Sequence, residues 1–284
     1  EKIEARAVLL ATGHSARDIF ALLHQADITI EHKPFALGVR VEHPQLLIDQ
    51  IQYHGAVRSP ELPAASYSLT YKSSGRGVFS FCMCPGGIIC PAATENDEIV
   101  VNGWSPSKRN SIYANSGIVV EVRDDDLLPF RHLGAFAGVG LQQSIEKKAF
   151  DLGGGKQKAP AQRLTDFLSG RSSQDLPKSS YLPGLQTGDL ETLFPKALYE
   201  HLVAGFHAFG KQRKGYVTEE AVVVAVESRT SSPIKIPRDQ ASGMHPELPG
   251  MFPLGEGAGY AGGIMSAAMD GENAAYAIAR YYKG

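Results

Sequence analysis

The sequence predicts an α/β fold, and three observations carry that prediction. Near the start, an apolar run of strand length from Ala5 to Ala11 is followed by Thr12-Gly13, then by a helical pattern with Ile19, Leu22 and Leu23 on one side. Near the end, Gly250 to Leu254 is a short apolar strand, and a glycine-rich run from Gly255 to Gly263 turns into a helix over Ile264 to Tyr282. Between the two, the texture changes to short strands and turns. Both ends therefore read as halves of one layer. The expectation is a partial α/β layer from residues 1–33 and 221–284, with a mixed β-plus-helix domain of residues 34–220 inserted.

The elements follow in order. Ser15-Ala16-Arg17-Asp18 has the form of a capping box, with Ser15 and Asp18 able to satisfy the first free N–H groups of a helix. Strands are expected over Ala36 to Glu42, Ser66 to Tyr71, Gly77 to Phe81, Ile99 to Trp104 and Ile118 to Val122. Helical patterns cover Ala135 to Leu152 and Leu193 to Phe209; in the second, Phe194, Leu198, Leu202, Phe206 and Phe209 recur at helical spacing and read as core. Gly153 to Pro160 and Ser169 to Ser180 are polar connections. Ala221 to Glu227 is a β-branched strand expected to return to the layer made by the ends.

Composition narrows the function classes. The 284 residues carry a formal charge of -2 with an apolar share of 43%. Lys and Arg are scattered among acids, so no basic stripe exists to neutralise the phosphates of a nucleic acid. No apolar run approaches the roughly 18 to 20 residues that cross a bilayer. The three cysteines, Cys82, Cys84 and Cys90, form one local cluster, which argues against a secreted disulfide scaffold and for a reducing cytoplasm. No signal segment opens the chain, and the early start of an interior strand suggests a fragment.

Five glycines among nine residues, Gly255, Gly257, Gly259, Gly262 and Gly263, cost backbone entropy. Close approach of a ligand to bare backbone is one reason for such a run, and tight packing between elements is the other. A helix beginning at about Gly263 would offer its N-terminal partial positive charge to a phosphate or to the electron-rich edge of a flavin.

The strand followed by Ala11-Thr12-Gly13, and the distant strand followed by Gly255-Glu256 and further glycines, look like two late motifs of FAD-dependent oxidoreductases with a Rossmann-like flavin domain. More closely, four segments make the chain similar to a family of largely uncharacterised bacterial FAD-dependent dehydrogenases. They are Ala11 to Asp18, Lys33 to Pro44, Phe81 to Gly87, and Gly255 to Gly263. The resemblance implies a flavoprotein oxidoreductase whose cofactor-binding residues are Thr12, Gly13, Gly255, Glu256, Gly257, Gly259, Tyr260, Ala261, Gly262, Gly263 and Ile264. It makes the partial layer of the two ends Rossmann-like, and it implies a small-molecule substrate and NAD(P)H as a further partner in the intact protein. Where the superfamily usually has Gly-Asp to bind the ribityl chain, this sequence has Gly255-Glu256, one methylene longer. The Gly-x-Gly-x-x-Gly turn for the pyrophosphate is absent. The chain is therefore expected to be the C-terminal part of a longer protein and to hold FAD weakly or not at all alone; a cofactor-free scaffold is the alternative.

Candidate chemistry outside the run rests on a few side chains. Cys82 and Cys84, two apart on a strand, are expected to share one surface. Cys82 could meet the flavin, all three thiols could serve zinc, or they could be small buried apolar groups. Arg40 could orient a substrate carboxylate and His43 move a proton near neutral pH; Arg40 and Glu42 could equally be a strand-face ion pair. His14 borders the expected cofactor turn and is a second candidate toward substrate, or else supports the helix start. Arg229 and Thr230 are expected near the same edge, or as loop caps. No metal-binding set stands out.

Overall fold

The structure, a computed structural model, describes residues 4–283. The extremes of the expected end segments, residues 1–3 and 284, lie outside them. Along the chain come β1 (Val8–Leu10), α1 (Arg17–Gln25), β2 (Glu31–His32), β3 (Ala36–Pro44), α2 (Gln45–Tyr53), β4 (Thr70–Ser73) and β5 (Arg76–Cys84). Next are β6 (Ile88–Pro91), β7 (Val101–Trp104), β8 (Tyr113–Glu121), a 3-10 stretch (Asp124–Phe136) and α3 (Ala137–Leu152). The remainder comprises β9 (Ala159–Arg163), α4 (Leu164–Leu168), β10 (Leu185–Thr187), α5 (Lys196–Gln212), β11 (Val222–Glu227), β12 (Ile234–Lys235), β13 (Met251–Pro253) and α6 (Ile264–Lys283).

These elements divide into two compact units. The first collects the described residues up to Phe35, Leu127–Leu141, and those from Arg229 onward. Within it β1 and β13 pair in parallel, Val8 opposite Met251 and Leu10 opposite Pro253. A parallel pair cannot be closed by a tight hairpin, so the strands come from chain segments far apart in sequence. Phe20 and Leu23 of α1 pack with Ile234, Ile236 and Ala258 in one core cluster; Phe252, Leu254, Met244 and Ala274 make another. The expected capping box is not formed: Ala16 is the N-cap of α1 and no side chain caps it. Instead the Arg17 N–H donates to the Ser15 carbonyl at 2.9 Å, so a backbone turn takes the place of the side chains.

The second unit, Ala36–Asp126 with Gln142–Ser228, holds a seven-stranded sheet in the order β10-β9-β11-β3-β8-β5-β4. All neighbours are antiparallel except β9 and β10. β3 and β11 are buried along almost their whole length, so both faces are covered, and β3 carries Arg40, Glu42 and His43 into that interior. Against this sheet α5 lays Leu198, Leu202, Phe206 and Phe209, all at 0% exposure, each worth about 1.5–3 kcal/mol relative to exposure. β11 corrects an expectation. It does not rejoin the layer of the ends; it lies between β9 and β3, with Val222 opposite both Arg163 and Glu42. An all-apolar β-branched run suits any buried strand position, so its pattern could not name its neighbours. The fold is thus α/β in the general sense, with a mostly antiparallel main sheet.

Candidate functional site

In the first unit the two glycine turns meet. Because β1 and β13 are parallel and in register, the chain leaves both strands at the same end: Thr12-Gly13 after β1, Gly255-Glu256 after β13. The Leu254 N–H donates to the Leu10 carbonyl at 3.1 Å and extends the pairing into the turns. Here a glycine is obligatory, since a Cβ at Gly257 would stand 2.6 Å from the Gly13 carbonyl oxygen. Gly13 itself has φ +79°. The turn is closed by bonds from the Gly259 N–H to the Glu256 carbonyl (3.0 Å) and from Tyr260 N–H to the Gly255 carbonyl (3.1 Å).

The end of the run is different. A Cβ at Gly262 or Gly263 would meet nothing within 4 Å, so the entrance of α6 is bare backbone facing open space. Ser266 accepts the Gly262 N–H at 3.2 Å and donates to the Gly263 carbonyl at 2.9 Å. Of the other expected cofactor residues, Thr12 is exposed, Ala261 is buried and Ile264 is 88% exposed. Tyr260 has one face of its ring covered by the Arg238 guanidinium, 3.7 Å from the centroid.

Two acid–base groups flank the turns. His14 Nε2 is 3.5 Å from Glu256 Oε2, with both side chains about three-quarters buried (23% and 25% exposed). His14 Nδ1 is buried with no hydrogen-bond partner among the described residues. Burial lowers the His14 pKa; Glu256 raises it, and Arg229 and Lys33 lower it again, leaving the ring neutral at pH 7. Arg229 and Thr230 are buried in this unit.

The sequence reading missed the support beneath the run. Asp270, on α6, accepts both arms of Arg238, at 2.6 and 3.0 Å, and the Gly255 N–H at 2.7 Å. Arg238 also donates to the Pro253 carbonyl at 3.1 Å. Burial alone would raise the Asp270 pKa, but its bonds to Arg238 and Gly255 outweigh that and lower it, so the carboxylate stays charged and pins the first residue of the run to α6. The partners are 32 and 15 residues apart, and no local pattern signals them.

The other candidates lie in the second unit and are sealed. Arg40 has 0% exposure: Nε donates to Glu227 at 2.6 Å, and one arm to Asn115 Oδ1 at 2.6 Å and to the Cys82 carbonyl at 3.3 Å. Its ion-pair partner is Glu227, not Glu42, and its guanidinium is spent on protein acceptors, so it does not face a substrate carboxylate. Glu42 instead accepts the Ser180 N–H at 2.9 Å and the Ser180 hydroxyl. His43 is fully buried and donates from Nε2 to the Tyr216 carbonyl at 2.8 Å. Burial drives its pKa down to about 4, which corrects the expectation of a proton carrier near neutral pH.

Cys82 and Cys84 do not share a surface. The pairing of β5 with β8 shifts between Phe81 and Cys84, Cys82 adopts φ +43°, and the result is an exposed Cys82 beside a buried Cys84. A bulge of this kind breaks the two-residue alternation on which the expectation rested. None of the three cysteines is in a disulfide, and among the described residues no group of three or more His, Cys, Asp or Glu is arranged to hold a metal. No helix among them is long and apolar enough to cross a membrane.

Fold and corner together define an α/β protein whose parallel end strands present two facing glycine turns. Residues 34–230 match the family described as FAD-dependent protein, C-terminal domain-like, and the chain belongs to that family. It is 42% identical over 275 residues to an uncharacterised protein of Clostridium beijerinckii, covering 95% of this chain and 51% of that protein. The chain thus spans about half the length of the curated relative it matches. The glycine run lies beyond the residues matched by the family.

Proposed function

We propose that this chain is the C-terminal part of a flavin-dependent oxidoreductase, with the glycine turns as the wall against which the flavin lies. The observation that carries the reading is the parallel pairing of β1 with β13. It sets Thr12-Gly13 and Gly255–Gly263 side by side at the carboxyl ends of adjacent strands, the position where open α/β sheets take their ligands. The residues fit such a group. Gly257 allows backbone to approach backbone, Gly262 and Gly263 leave room for a flat ligand, and the first N–H groups of α6 carry partial positive charge.

Flavin, when bound, supplies the redox chemistry. The chain's own residues supply the rest. Glu256 would hold the ribityl hydroxyls, in a turn whose first residue is tied down by the bond from the Gly255 N–H to Asp270. His14 and Glu256, 3.5 Å apart and each about a quarter exposed, are the pair that accepts or returns a proton on the substrate side. The substrate is a small molecule, with NAD(P)H a further partner of the intact protein, in a cytoplasmic setting. The pyrophosphate end of FAD would be held by polypeptide outside this sequence, so this chain alone binds FAD weakly.

The test is spectroscopic. Full-length protein, purified and desalted, is expected to keep flavin absorbance, whereas a chain beginning at Glu1 is expected to lose it. A colourless full-length protein that also fails to take up added FAD would contradict the reading and favour a cofactor-free scaffold.

A further inference from the structure

The corner made by the glycine turns contains a cation without a matching carboxylate. Lys33 is half-buried in the first unit, and its backbone N–H donates to the Pro233 carbonyl at 2.9 Å. Its stem lies along the run itself, with Cδ only 2.9 Å from where a Cβ on Gly259 would stand. Gly259 has φ +84°, so the run needs glycine at this point on conformational grounds too, and the lysine methylenes fill the space left.

Two other basic side chains beside the turn have carboxylate partners. Arg238 is bound to Asp270, and His14 faces Glu256. Lys33 makes no ion pair among the described residues, and burial alone lowers its pKa. Yet its charge reaches the corner, where after burial and Glu256 it is one of the two cations acting on the His14 imidazole, Arg229 being the other. A half-desolvated ammonium gains from an anion, and a ligand lying over the run would supply one.

We propose that Lys33 is the counter-charge for the electron-rich pyrimidine edge of the flavin lying over Gly257–Gly263. The assignment rests on the flavin reading above and adds to it a residue that tunes the cofactor. The Lys33 ammonium acts from the Gly259 side and the N-terminus of α6 from the other end of the run, so both favour negative charge on that edge.

The test uses full-length, flavin-loaded protein. Lys33→Met keeps the stem over Gly259 and removes the charge; Lys33→Arg restores a charge. Sulfite adds to flavins and leaves negative charge on the pyrimidine edge, so its affinity reports the local field without turnover. Sulfite is expected to bind about tenfold more weakly to Lys33→Met and nearly normally to Lys33→Arg. Equal affinity in all three proteins at equal flavin content overturns the assignment.

Should Lys33→Met fail to fold or retain flavin, the wild-type protein decides. Acetic anhydride labelling of Lys33, read by mass spectrometry, is expected to fall several-fold when FAD is returned to flavin-stripped protein. Unchanged labelling, or protection by benzoate rather than by FAD, overturns the assignment and in the second case points to a substrate carboxylate. A full-length protein that binds no FAD fails the flavin reading itself. Bound FAD with an unprotected Lys33 fails only this inference.

Discussion

Two charged clusters, one in each unit, show how similar residues are put to opposite uses. Around Arg40 the side chains are closed off: Arg40 and Glu227 show 0% and 2% of their side-chain surface, and Asn115 and the Cys82 carbonyl take up further donors. Around His14 the side chains are a quarter exposed, Nδ1 has no hydrogen-bond partner among the described residues, and further along the run the backbone at Gly262 and Gly263 opens on free space. The first cluster has its counter-charges built in. The second leaves Lys33 without an ion pair among the described residues. Burial with saturated partners makes a structural element, whereas partial burial with an open wall is what the proposed flavin site calls for.

The largest effect should come from breaking the sealed pair. Glu227→Leu leaves Arg40 charged and unmatched in the interior and is expected to cost about 3–5 kcal/mol in urea unfolding, while Arg40→Met with Glu227→Leu recovers most of that. If the single variant costs under about 1 kcal/mol, the cluster is not sealed and the contrast with the His14 corner fails.

Next in size is a pH effect on the same unit. The folded-state pKa of His43 is depressed, to about 4, so its contribution is fully present above the unfolded value near 6.5 and is lost as pH falls from there through 4. Relative to His43→Gln, the wild-type protein is expected to lose on the order of 3 kcal/mol across that window. Comparing the two proteins cancels the opposite trend of Glu42 and Glu227, whose pKa values are raised by burial. Parallel stability curves for both proteins would place His43 in contact with solvent.

A smaller effect is expected beneath the open corner. Asp270→Ala removes the acceptor for the Gly255 N–H and unpairs Arg238, which should cost about 2 kcal/mol. It should also raise hydrogen exchange at Gly255 and through the following turn. Unchanged exchange there would mean that the run is held by its backbone bonds alone.

Much of this was legible in the sequence, because local periodicity reports burial well. The stripe Leu198, Leu202, Phe206 and Phe209 reads as core and is core. The two end strands read as strands and pair with each other. What was not legible depends on distant partners or on a local break in periodicity. Arg40 finds Glu227 at a separation of 187 residues, β11 inserts between β9 and β3, and a bulge turns Cys82 away from Cys84. For the candidate site, the glycine pattern shows that backbone must be bare. It does not show that Gly13 and Gly257 face each other, or that Lys33 lies across Gly259, since those contacts arise only when β1 and β13 are in register.

The most direct test of the open corner is the flavin content of full-length Gly262→Trp. A side chain at this position meets no protein atom within 4 Å at its Cβ, so stability should change by less than about 0.5 kcal/mol. The account predicts a protein that melts like the wild type but purifies without flavin. Full flavin occupancy in this variant, with an unchanged melt, would contradict the claim that the flavin lies against the glycine run.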